Sequence, residues 1–258
     1  MKLFIIILFL INSTLSAIDL HLPGSAIHNA TSGSVLLFPS PTATYGNPAC
    51  RNNGIETSAT YLFSLEELPY YNFHAHYNLN NIGLHLGGSL LSHPLYLESC
   101  GILSVNYLFK NISIGSSLKL LYNQVEKYHE VFALMADVGI IWENVAISNS
   151  LSVKNVTQSS YFTEKLPVVY LWETAYKLTS QSKVAVGLEK ETDFKFSFKI
   201  AGRYDLTNMF TILSSYQFEP NRIGVGIVFN LRNLLFSYSV RTHQYLPLNH
   251  YISIGYGL

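Results

Sequence analysis

The stretch Tyr70-Tyr71-Asn72-Phe73-His74-Ala75-His76-Tyr77-Asn78-Leu79-Asn80-Asn81-Ile82-Gly83-Leu84-His85-Leu86 decides the fold. Tyr71, Phe73, Ala75, Tyr77 and Leu79 fall on one face, and Asn72, His74, His76 and Asn78 on the other. A side-chain period of two is that of a β-strand. Asn80-Asn81 suits a two-residue hairpin, because asparagine tolerates the positive φ such turns require. Beyond it Ile82, Leu84 and Leu86 continue the apolar face, while Gly83, His85, Gly87 and Ser89 continue the polar one. This register sets His76 opposite His85. A second hairpin behaves alike: Ile223, Val225, Ile227, Phe229 and Leu231 share a face with Leu234, Phe236, Tyr238 and Val240.

Outward from these hairpins, alternation continues from Gly54 to the last residue. It predicts fourteen strands, near 55–64, 70–79, 82–91, 97–109, 112–122, 129–142, 145–153, 168–178, 183–190, 194–204, 209–218, 222–231, 234–243 and 249–258. Ten residues rising about 3.3 Å each and tilted about 40° cross the roughly 25 Å apolar band of an outer membrane. The tightest turns (Asn80-Asn81, Lys110-Asn111, Glu143-Asn144, Arg232-Asn233) all follow even-numbered strands, and every proline after Pro48 follows an odd one. That parity matches a barrel with both termini in the periplasm. The end, Ile252, Ile254, Tyr256 and Leu258 alternating with Ser253, Gly255 and Gly257, is a barrel strand, although a terminal aromatic is the usual assembly signal.

Composition agrees. Charged residues make up 12% and aromatics 14%, against about 25% charged in soluble domains. A soluble sandwich would carry more charge on its polar faces and would protect its sheet edges. The expectation is an all-β, up-and-down antiparallel membrane barrel. Zero formal net charge gives no field for nucleic acid. Before the barrel, Lys2, the apolar run Leu3 to Ile11 and Leu15-Ser16-Ala17 form an export signal over residues 1–17, too short to span a bilayer. Residues 18–54 show no alternation and hold four of the prolines. A fourteen-stranded barrel is too wide for its own side chains to fill, so this segment is the candidate plug, or hatch, for the barrel of residues 55–258.

Leu22-Pro23-Gly24-Ser25-Ala26 followed by Tyr45-Gly46-Asn47-Pro48-Ala49 resembles the N-terminal hatch of FadL-like outer-membrane barrels, and the PorV/PorQ branch associated with type IX secretion in particular. Ser117-Leu118-Lys119-Leu120-Leu121-Tyr122, Ala136-Asp137-Val138-Gly139, Lys165-Leu166-Pro167 and the ending from His243 extend the likeness over most of the mature chain. Asn47, Pro48 and Ala49 are its most specific part; Cys50 stands where the family commonly has glycine, and the chain is short for the family. The branch implies a non-enzymatic scaffold for protein secretion or surface attachment, with secretion-system partners. The wider family implies instead a channel for hydrophobic or amphipathic molecules such as fatty acids. It also implies a lateral opening near the third strand, where Gly87 and Gly88 would permit a kink.

Further candidates follow from facing. Cys50 and Cys100 are candidates for a disulfide tying hatch to wall. His74, His76 and His85 share the polar face and could hold zinc or copper, or hydrogen-bond the hatch. Lys195, Lys199, Arg203, Arg222 and Arg241 face inward, because a cation on the lipid face costs about 2–4 kcal/mol at mid-membrane. They form a basic wall for a carboxylate or phosphate, or a network with Asp137, Glu173, Glu189 and Asp205. No catalytic motif stands out: His129-Glu130 lacks the second histidine of a zinc-protease helix, Ala133 taking its place. No cofactor is expected.

Overall fold

A computed structural model describes residues 24–127, 129–161, 164–192 and 194–257. The expected export signal, the first residues of the expected hatch and Leu258 lie outside them. Among the described residues, fourteen antiparallel strands close on themselves: β1 (Gly54–Tyr61), β2 (Pro69–Leu79), β3 (Ile82–His93), β4 (Tyr96–Phe109), β5 (Ile112–Val125), β6 (His129–Glu143), β7 (Ile147–Lys154), β10 (Val169–Lys177), β11 (Ser182–Glu191), β12 (Ser197–Asp205), β13 (Phe210–Phe218), β14 (Arg222–Leu231), β15 (Leu234–Arg241) and β16 (Asn249–Tyr256). A small separate ribbon, β8 (Ser160–Tyr161) with β9 (Glu164–Lys165), lies within the long β7–β10 connection. β1 pairs with β16 from Ile55↔Tyr256 to Tyr61↔His250, so the ladder has no open edge. Closure is what lets a sheet bury its backbone polar groups in lipid.

The period-two reading holds strand by strand. Tyr71 is 49% and Phe73 44% exposed, while Asn72 between them is 5% and His74 2%. His76 pairs with His85 as the hairpin parity requires. In three bottom turns the first residue has positive φ (Asn80 53°, Lys110 57°, Arg232 59°), the twist that two-residue hairpins need. Turn parity is less strict than the sequence suggests, since Pro94-Leu95 joins β3 and β4 at the opposite rim with two residues.

The wall is uneven. β4, β5 and β6 have 14, 14 and 15 residues, whereas β7 has eight. β6 pairs with β7 only from Val138 to Glu143. Higher up, the β7–β10 connection takes over the ladder: Val156 N donates to Ala136 O at 2.8 Å.

Candidate functional site

The inner face is the candidate site, and it is built in two tiers. The lower tier, nearer the termini, is where the segment from Gly24 to Asn53 packs. That segment has little regular structure beyond two short helices, α1 (Ala26–Ala30) and α2 (Ala43–Gly46), so its polar groups must find partners elsewhere. Ser25 caps α1, and Ala26 N donates to Ser253 Oγ at 2.7 Å. Ser32 and Ser215 share a 2.8 Å bond. Two carboxylates grip the segment from the wall, Glu56 buried and Glu173 half-buried. Glu173 accepts from Ser34 and from Val35 N (3.0 Å), and Glu56 accepts from Ser40 and from Thr42 Oγ1 (2.8 Å). The His28 ring lies among Gly24, Gly33 and Gly46, whose missing side chains leave it room. Burial holds His28 well below the usual imidazole range, and Lys154, Lys199, Arg241 and His74 push the same way.

Asn47-Pro48-Ala49 packs directly against the wall. Gly115 and Gly139 are cross-strand partners on β5 and β6. A Cβ at Gly139 would stand 1.9 Å from Asn47 Oδ1, and one at Gly115 would stand 2.3 Å from Pro48 O. The glycine pair is therefore a notch that the motif fills. Asn47, wholly buried, donates to Ser150 Oγ (2.8 Å) and Leu151 O (3.0 Å) and accepts from Ala49 N (2.9 Å). Asn106 donates to Pro48 O and Cys50 O, and Ser113 to Ala49 O.

The charged residues resolve mostly into local pairs. Lys199 meets Glu189 at 2.6 Å, and Arg203 meets Asp205 at 2.9 Å while lying over Phe38. Arg241 donates to Gln217 and Asn29. Arg222 is cross-strand partner of buried Gln217 and so shares its inward face. Lys195 is a correction: β12 begins only at Ser197, and Lys195 is 83% exposed, 4.0 Å from Glu219. The network reading of these cations is the one their partners support. The most buried pair joins Asp137, one of the acids expected in that network, to a lysine outside the expected basic wall. Lys119 and Asp137 meet at 2.6 Å with side chains 2% and 1% exposed. Tyr45 lies between Lys119 and Lys154, their ammonium groups 4.0 and 4.6 Å from its ring centre. Lys119 could have been found, since it shares the polar parity of β5 with Ser113 and Ser117; its pairing with Asp137 depends on β5–β6 register.

Three other expectations are revised. Cys50 and Cys100 are both free thiols, buried in different apolar clusters. Cys50 packs with Val35 and Ile141, Cys100 with Tyr70 and Met135, so the pair is not brought together; burial pushes the Cys50 thiol well above its usual range. His74 Nδ1 and His85 Nε2 lie 3.2 Å apart, but His76 turns to Asn78 and His85 also to Ser104. Among the described residues no three-ligand metal group forms. β3 stays paired on both sides through Gly87 and Gly88, so no gap opens there. Gly87 instead makes room for the inward His74, whose Nδ1 a Cβ would approach to 2.4 Å.

The upper tier is apolar. Tyr70 at the start of β2, Leu91 near the end of β3, Leu121 near the end of β5 and Ala133 and Met135 early in β6 all face inward at the rim opposite the termini. Cys100, Ile102 and Val169 join them, and Leu166 from the β7–β10 connection closes over the cluster. Tyr45, from the segment before β1, joins the cluster with the Lys119 ammonium over its ring.

No family model and no curated protein sequence matches this chain. Solved structures do share its fold. One is a monoaromatic hydrocarbon channel, CymD, with TM-score 0.67 and 8% identity over 94% of this chain and 99% of that one. Another is the Pseudomonas putida toluene transporter TodX, with TM-score 0.65 and 10% identity over 93% and 99%. A TodX deltaS2S3 mutant reaches TM-score 0.72 at 8% identity over 92% and 100%. At such identities the likeness is one of architecture: this chain has the closed barrel fold of those channels.

Proposed function

We propose that the protein is a non-enzymatic bacterial outer-membrane channel for passive passage of apolar or amphipathic small molecules, with both termini periplasmic and the segment up to Asn53 as its plug. The observation that carries this reading is the apolar upper tier. A water-filled pore lines its lumen with polar groups, whereas here Tyr70, Leu91, Ile102, Leu121 and Met135 face inward together. The channels that share the fold include transporters of monoaromatic hydrocarbons, which makes such compounds the first probes. The expectation of a secretion scaffold, drawn from the PorV/PorQ resemblance, gains no support from these findings.

The test is flux into proteoliposomes. Toluene or a fluorescent apolar analogue should enter faster than into protein-free vesicles. Met135→Arg, which places a charge inside the apolar tier, should cut that flux several-fold without preventing insertion. Equal flux with and without protein, or co-purification of stoichiometric secretion proteins with no apolar flux, refutes the proposal.

A further inference from the structure

We infer that the outer wall over β7, β10 and β11 binds one anionic phospholipid, its acyl chain in an aromatic-walled groove and its phosphate at Lys190. The inference rests on the membrane reading above and adds a site to it. The groove encloses about 520 Å³ and is lined by Val153, Tyr170, Trp172, Leu188, Lys190 and Phe196. Cross-strand register orders these residues: Val153, Tyr170 and Lys190 form the upper rank, and Trp172 pairs with Leu188 in the rank below. The strand residues among them lie on the face that alternates away from the lumen; Glu189, which also lines the groove, turns its carboxylate inward to Lys199.

Lys190 is the unusual member. A cation on the lipid face is tolerated near the interface and costly at the midplane, and this one sits at the upper end of β11. Its ammonium donates to the carbonyls of Thr192 and Phe194 and lies 5.6 Å from the Phe196 ring centre. Among the described residues, these neutral groups are the partners that hold the ammonium at the head of the groove. The next acid along the chain, Glu191, pairs with buried Val169 in register and therefore points to the other face. A long apolar trough ending in a fixed cation matches a lipid with an apolar tail and an anionic head. A second outer groove, about 680 Å³ over Ala75, Tyr77, Leu84, Leu103 and Leu118, has no lysine or arginine in its lining and serves as the internal comparison.

The two tryptophans permit a direct test. Trp172 lines the groove, while Trp142 lies near the opposite end of the barrel, late in β6. With Trp142→Phe, Trp172 is the sole reporter in phosphatidylcholine vesicles containing a minor fraction of brominated lipid. Brominated phosphatidylglycerol should associate about fivefold more strongly than brominated phosphatidylcholine, the preference expected of one interfacial lysine. Lys190→Gln should bring that ratio to one. The Trp172→Phe protein, reporting through Trp142, should show no preference, and neither should a Tyr77→Trp reporter in the second groove. No preference at Trp172, or one that survives Lys190→Gln, overturns the lipid site while leaving the barrel reading intact. Quenching by neither lipid means that the protein has not entered the bilayer, which sinks both.

Discussion

Removing the Asn47 side chain should release the segment that precedes β1 while leaving the barrel standing. The amide has two protons to donate and one oxygen to accept, so at most two of its bonds to Ser150, Leu151 and Ile140 count at full strength, together with the bond from Ala49 N. Three bonds at about 1 kcal/mol each make about 3 kcal/mol. At about 1.4 kcal/mol per decade, that raises the population of the undocked segment roughly a hundredfold. Cys50 reports this opening, since its thiol is buried three residues beyond Asn47. In a Cys100→Ser background, the maleimide labelling rate of folded protein measures how often the segment leaves the wall. Asn47→Ala should accelerate labelling by about two orders of magnitude, with little change in the urea midpoint of the barrel. Gly139→Ala should do likewise from the other side, because its Cβ would occupy the position of Asn47 Oδ1. Labelling within threefold of the parent protein in both variants would show that the notch does not hold the segment.

Other outcomes follow from the same geometry. Asp137→Asn should destabilise the barrel by about 3–5 kcal/mol, because Lys119 is left as an uncompensated buried charge; the double variant with Lys119→Met should recover most of the loss in urea titrations. Gly87→Ala should cost about 1–3 kcal/mol by crowding His74 and leave apolar flux unchanged; altered flux at wild-type stability would restore the idea of a gate there. Docking of α1 should weaken in acid. His28 stays neutral when docked and takes up a proton near pH 6.5 once released, so protection is complete above that pH. Below it, protection falls by up to about 1.4 kcal/mol per pH unit. Amide exchange across residues 26–34, corrected for intrinsic rate, should show that slope, and His28→Gln should flatten it.

Much of this molecule is legible residue by residue. Facing in a strand is a local property, so Tyr71, Asn72 and Phe73 declare their sides without knowledge of their neighbours, and Asn80-Asn81 or Arg232-Asn233 declare their turns. Nearly every strand of the closed ring also alternates between an inner and an outer face, which makes the fourteen-fold repeat readable from Gly54 onward. Lys195 went astray because the start of a strand is set by where pairing begins, and pairing with β11 and β13 starts only two to three residues later.

What the sequence alone determined was therefore the class, the strand count and which side chains look inward. The tertiary structure alone decided whom they meet there. The Lys119–Asp137 pair, the Gly115–Gly139 notch under Asn47-Pro48 and the separation of Cys50 from Cys100 all depend on register between strands or on the path of a segment without periodicity. The physical reason is that a strand's side-chain period carries orientation but not position: it tells a residue which way to point, and only the closed ring tells it what stands opposite.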